Sequence, residues 1–228
     1  MPVPPVVSAV GKDRVVVSWD RHPAPDVVGY NLYRGVAHVR TVAEGTPGAW
    51  KDNDPKYDEP QVVQVRDVTG LTKLNTALLT DPTFTDNVDL TTPTPAAGGY
   101  RFAVYAYVVR AVNPLGTESG PSPYALTFPA APSNVLCREQ GEVAELKWDA
   151  AREAGVTGYH VYKLEGTWKD VRVTEKPLAA TTLLHRVGRG QTRFWVVAVD
   201  ALGQEGEPSS PAWFNHSYRG FYTGEWHQ

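Results

Sequence analysis

Gly29-Tyr30-Asn31-Leu32-Tyr33-Arg34 recurs further along the chain as Gly158-Tyr159-His160-Val161-Tyr162-Lys163. Each copy begins ten residues after the tryptophan of a Trp-Asp pair, and each pair closes a strand-like run: Val15-Val16-Val17-Ser18-Trp19-Asp20 and Ala144-Glu145-Leu146-Lys147-Trp148-Asp149. A third block ends each copy. It is Ala111-Val112-Asn113-Pro114-Leu115-Gly116 in the first and Ala198-Val199-Asp200-Ala201-Leu202-Gly203 in the second, and a Ser-bearing turn with proline follows both. Three matched blocks in one order mark an internal duplication. The copies are 129 residues apart at the Trp-Asp block but 87 apart at the Ala-Val block, so the first carries 42 extra residues between them.

Period two runs through the blocks. Tyr105, Tyr107, Val109 and Ala111 share one face of a strand, as do Phe194, Val196 and Ala198. Tyr30 and Leu32 match Tyr159 and Val161, while Tyr33 and Tyr162 point the other way. The 20 glycines and 19 prolines are scattered rather than massed. Short alternating runs with frequent turn residues indicate an all-β chain of immunoglobulin-like sandwiches. The best helical stretch, Ala150 to Ala154, is too short to stand alone.

The order is a proline-rich start, a strand ending in Trp, a Gly-Tyr-x-x-Tyr strand, an aromatic-Val-Ala-Val strand, a glycine turn and a Ser-Pro strand. This pattern resembles the fibronectin type III domain of bacterial extracellular proteins, twice over, across roughly residues 3 to 213 except the insertion. The resemblance implies two seven-stranded sandwiches in tandem, with Trp19 and Trp148 as core tryptophans and Tyr105 at an aromatic position early in the sixth strand, where the second copy has Thr192. It also implies an extracellular or cell-surface setting. The expected organisation is a first domain over residues 1–129 with an insertion at about 36–98, a second over 130–213, and an aromatic tail over 214–228. Two prolines near Pro129 and Pro132 suit a short, stiff linker.

Within the insertion, Asp67 to Asn75 reads as strand, turn, strand around Thr69-Gly70, Val62 to Val65 as a further short strand, and Thr83 to Asp86 as the family's fifth strand. Two roles fit the extra sequence: covering a sheet edge, or serving as a binding face held by a rigid scaffold.

Several classes of function are excluded. The net charge of -3 leaves no basic surplus for a phosphate backbone, so no nucleic-acid partner is expected. No apolar run approaches the ~20 residues of a membrane helix. Met1-Pro2-Val3-Pro4-Pro5 has neither the basic region nor the apolar stretch of a secretion signal, which leaves open a mature chain that begins here, a removed leader and a fragment of a longer precursor. Cys137 is the single cysteine and reads as a small buried residue, with no intrachain disulfide to form.

No nucleophile elbow, zinc spacing or phosphate loop occurs, and Gly188-Arg189-Gly190 reads as a turn. The expectation is therefore no enzyme, no catalytic residue and no cofactor. Asp52 and Asp54, with Asp58 and Glu59, gather hard oxygens as calcium requires, but the run lacks the glycine and distal glutamate of an EF-hand, and a solvated acidic turn is expected. Trp50 and Trp168 lie outside the repeated core positions and are candidates for stacking on sugar rings. The tail is too aromatic for a free segment, so Tyr218, Phe221, Tyr222 and Trp226 are candidate contacts with the chain's own domains, a second copy or a larger surface protein. Two functions follow as expectations. One is a structural or adhesive module that assembles into a fibre through the tail. The other is an ancillary polysaccharide-binding or spacer module of a secreted enzyme.

Overall fold

A computed structural model describes residues 1–41, 63–94, 101–165 and 169–215. Among these residues there is no helix. The first unit contains β1 (Val6–Gly11), β2 (Arg14–Ser18), β3 (Gly29–Thr41), β4 (Val63–Lys73), β5 (Thr83–Asn87), β6 (Tyr105–Val112) and β7 (Ala125–Leu126). The second contains β8 (Leu136–Gln140), β9 (Val143–Lys147), β10 (Val156–Glu165), β11 (Lys169–Arg172), β12 (Thr182–Arg186), β13 (Gln191–Asp200), β14 (Glu205–Pro208) and β15 (Ala212–Asn215).

All pairings are antiparallel. In the first unit β1-β2-β5 faces β4-β3-β6-β7. In the second β8-β9-β12 faces β11-β10-β13, with β14 and β15 both pairing with β13 as two pieces of one edge. The alternating side chains meet between the sheets. Val15, Val17, Leu32, Tyr107 and Val109 are fully buried in the first core, and Leu146, Val161, Phe194, Val196 and Phe214 in the second.

The Gly-Tyr block has a local cause. Trp19 meets Tyr30 edge-on with ring centroids 5.5 Å apart, and Trp148 meets Tyr159 at 5.5 Å in the same way. Each tyrosine then reaches the loop behind its tryptophan, where its hydroxyl accepts a hydrogen bond from the backbone: His22 N at 2.7 Å for Tyr30, Ala151 N at 2.7 Å for Tyr159. The glycine before each tyrosine lets another segment cross closely. Tyr159 bridges to Leu178, and a Cβ at Gly158 would sit 2.8 Å from Pro177 Cβ and 3.0 Å from the Leu178 carbonyl oxygen.

Thr83 to Asp86 is indeed a strand, β5, paired with β2. The stretch from Asp67 to Asn75 does not fold on itself. Up to Lys73 it belongs to one strand, β4, which forms a long hairpin with an extended β3. The glycine read as a turn is a bulge: Gly70 and Leu71 together oppose Gly35, with Gly70 at φ +64°. An isolated glycine inside a strand carries either meaning, and the local pattern does not separate them.

The lengthened hairpin brings Val68 onto the outer face of the sheet. There Ala37, Val104, Ala106, Leu126 and Phe128 form a second small core beside the linker. The last strand also runs further than expected. β15 continues past residue 213 to Asn215 and buries Phe214, which is in phase with Ala212. The aromatic density of the tail hid that strand end.

Candidate functional site: the joint between the sandwiches

The second unit meets the first through two loops and the linker. The loop between β9 and β10 lies against β1. Ala154 N donates to Ser8 Oγ at 2.9 Å, and Arg152 Nη2 donates to Asp20 Oδ1 at 2.9 Å. β14 lies against the linker, where Glu207 N donates to the Pro129 carbonyl at 3.1 Å. Ala130 N closes the ring by donating to Glu153 Oε1 at 3.0 Å. The β9–β10 loop and β14 both approach the first unit or the linker backbone to backbone. A Cβ at Gly155 would collide with the Ala9 carbonyl, and one at Gly206 with the Pro129 carbonyl. Leu202, at the apex of the β13–β14 turn, packs against the core of the first sandwich.

The apex is built by Asp200, which is 3% exposed. Its Oδ1 accepts from Leu202 N at 2.9 Å and from Gln204 N at 2.8 Å. Burial raises its carboxyl pKa despite those donors, which pull it the other way. The first unit repeats this turn: Asn113 Oδ1 accepts from Leu115 N at 3.1 Å and Thr117 N at 2.9 Å. Gly116 and Gly203 have nearly the same φ, +78° and +75°. One geometry thus presents two leucines, but Leu115 is 88% exposed whereas Leu202 is seated on the neighbouring sandwich.

Each unit places three strands against a four-strand path, repeats the Trp–Tyr edge contact and turns its last hairpin on the same Asn/Asp-x-Leu-Gly. Both units have the fibronectin type III fold. No protein-family model matches the sequence, and no curated protein matches it. Among solved structures, the chain is similar to a Fn3-like protein from Clostridium thermocellum, at 22% identity and TM-score 0.32 over 38% of this chain and 92% of that one. It is also similar to a two-domain fibronectin type III segment of chicken tenascin, at 16% identity and TM-score 0.34 over 94% of this chain and 98% of that one.

Trp50, Asp52, Asp54, Asp58 and Glu59 lie outside the described residues, as do Trp168, Tyr218, Phe221, Tyr222 and Trp226. Cys137 is half-buried against the second core, and burial, followed by Glu139, pushes its thiol up to about 11. It therefore carries no reactive thiolate at neutral pH. The joint residues Gly155, Leu202 and Gly206 were not anticipated. The signal for the two glycines lay in how the copies differ: Asp26 stands in the first where Gly155 stands in the second, and Ser119 where Gly206 stands.

The outer face of the second sheet gathers a different set. Tyr162 stacks with Trp195 at 6.0 Å, nearly parallel. The Tyr162 hydroxyl lies 2.8 Å from Glu205 Oε2, and the Arg193 guanidinium lies 6.0 Å from the centre of the Trp195 ring. Trp213, directly across from Arg193, is half exposed.

Proposed function

We propose that this chain is a non-catalytic structural or adhesive module of a secreted or cell-surface protein. In this reading it is a stiff two-domain unit that joins copies of itself, or a larger surface protein, through its C-terminal segment. The observation that carries it is the joint. A flexible pair of binding domains has no use for two glycines that admit backbone contact, a leucine packed against the neighbouring core and a ring of hydrogen bonds around a short linker. A module that transmits position or force along a chain does. The aromatic residues Tyr218, Phe221, Tyr222 and Trp226 supply the adhesive end. The test is the assembly state of the purified chain with and without Tyr218–Gln228, by light scattering and negative-stain microscopy. Assembly of the intact chain alone supports the reading. Monomers in both cases remove the self-adhesive part.

The ancillary carbohydrate-binding reading has one supporting observation, the outward Tyr162–Trp195 pair with the half-exposed Trp213 nearby. Tryptophan fluorescence titrated with oligosaccharides tests it: a saturable change abolished by Trp213→Ala supports it, and a flat response sinks it.

A further inference from the structure

A cleft of about 560 Å³ opens at the joint, between the N-terminal run Val3–Val7, the end of β7 and the loop 149–153. That volume is in the range of ligand and peptide sites, which form preferentially at domain interfaces. Its walls are apolar and include Pro4, Pro5, Tyr124, Leu126, Phe128 and Pro132. Its rim is acidic, with Asp20, Asp149, Glu153 and Glu207 against a single cation, Arg152.

Three of the four carboxylates are occupied. Asp20 holds Arg152, Asp149 accepts from the Ser133 hydroxyl and the Asn134 amide, and Glu153 accepts from Ala130 N. Glu207 stands exposed at the rim, and among the described residues nothing donates to its carboxylate, so it faces an incoming cation with no ion pair to break. An occupant that satisfies this cleft is extended, rich in apolar surface, and carries a cation.

Residues 216–228 have that composition: Tyr218, Phe221, Tyr222 and Trp226 accompany Arg219, the only lysine or arginine in the stretch. The chain's own segment is badly placed to supply it. β15 runs away from the joint, and Asn215 pairs with Gln191, six residues along β13 from Val197, which pairs with Pro208 beside Glu207. Six strand residues span ~20 Å. Four residues from Asn215 bring the Arg219 backbone at most ~14 Å, and only without the reversal that the return requires.

We propose that the joint cleft is the receptor for the C-terminal segment of a second copy of this chain, with Arg219 of that copy against Glu207 and its aromatic side chains on the proline- and phenylalanine-lined wall. The contact is head-to-tail, so it extends into a filament unless it closes into a ring. The proposal rests on the self-assembling reading above and adds the receptor.

The experiment uses full-length chains in sedimentation velocity: wild type, Glu207→Lys, Arg219→Glu, the charge-swapped double variant, and an equimolar mixture of the two single variants, with circular dichroism confirming that each folds. The wild type is expected to associate with concentration. Each single variant is expected to weaken association at least tenfold, and the double variant to regain part of it. The mixture is expected to associate more strongly than either single variant alone, because the intact segment of one fits the intact cleft of the other and the two altered charges match at the next junction. If the single variants associate like wild type, or the mixture stays monomeric, the cleft is not the receptor, and the assembly reading is judged by wild type alone. If wild type is monomeric at every concentration, both fall.

Discussion

Asp200 and Asn113 do the same work in the two copies, and only one carries a charge. Each accepts two backbone N–H groups in the same turn, so an amide fits where Asp200 stands. The raised Asp200 carboxyl means the folded state holds its proton more tightly than the unfolded chain, whose value is near 3.8. Such a group costs stability above its folded pKa, and the cost disappears as pH falls toward the unfolded value. Asp200→Asn is therefore expected to stabilise the chain at pH 7 by on the order of 1 kcal/mol. The gain should shrink toward pH 4, as read by urea denaturation at both pH values.

His160 behaves in the opposite sense. It is 6% exposed, with Nδ1 2.8 Å from Thr174 Oγ1. Burial lowers its pKa, Glu205 opposes that, and Arg172 adds to it. A histidine held neutral in the fold contributes stability above its unfolded value near 6.5 and loses it as pH falls through that value. The first copy has Asn31 at this position, 6% exposed. His160→Asn is expected to flatten the loss of stability between pH 7.5 and 5.5, measured by the same denaturation midpoints.

At the scale of elements, the copies solve one core problem in two ways. In the first, Arg34 Nη1 donates to Asp86 Oδ2 at 2.6 Å and the Tyr107 hydroxyl donates to the same oxygen at 2.9 Å, tying β3, β5 and β6 together. The same strand positions in the second hold Lys163, His185 and Phe194, where histidine and phenylalanine meet edge-on at 5.8 Å. Removing Arg34 leaves a nearly buried carboxylate and phenol without their cation. Arg34→Met should cost about 2–4 kcal/mol, between an exposed and a fully buried pair, read as a drop in the unfolding midpoint of the first domain. Gly70→Ala tests the bulge separately. Open space surrounds a Cβ there, so the cost is backbone conformation alone, about 1 kcal/mol. These elements mark how far the sequence could be read. Period two and the repeated blocks placed the strands because side-chain alternation is local. Whether Gly70 turned the chain or bulged it depended on β3 opposite, which lies outside the local pattern.

For the whole molecule, what decides function is whether the sandwiches move as one. The duplication was legible because both copies obey the same core rules, and the joint was not, because it depends on loops whose role changes with what lies beside them. Leu115 and Leu202 occupy equivalent turns, yet one is in water and the other on a neighbouring core. That pair supplies an internal control. Leu202→Asp puts a charge where the first sandwich offers apolar surface and should weaken the joint by about 1–3 kcal/mol, while Leu115→Asp should change nothing. Gly206→Val attacks the same joint through the Pro129 carbonyl. In small-angle scattering, Leu202→Asp and Gly206→Val are expected to broaden the distance distribution and raise the maximum dimension, with both sandwiches still folded by tryptophan fluorescence. Leu115→Asp should overlay the wild type. If all the curves coincide, the glycines and the leucine merely fill a contact that the linker already fixes, and stiffness belongs to Pro129 and Pro132. If the wild-type curve itself demands a mixture of bent and straight forms, the two sandwiches are independent binding domains, and the rigid structural module loses its main support.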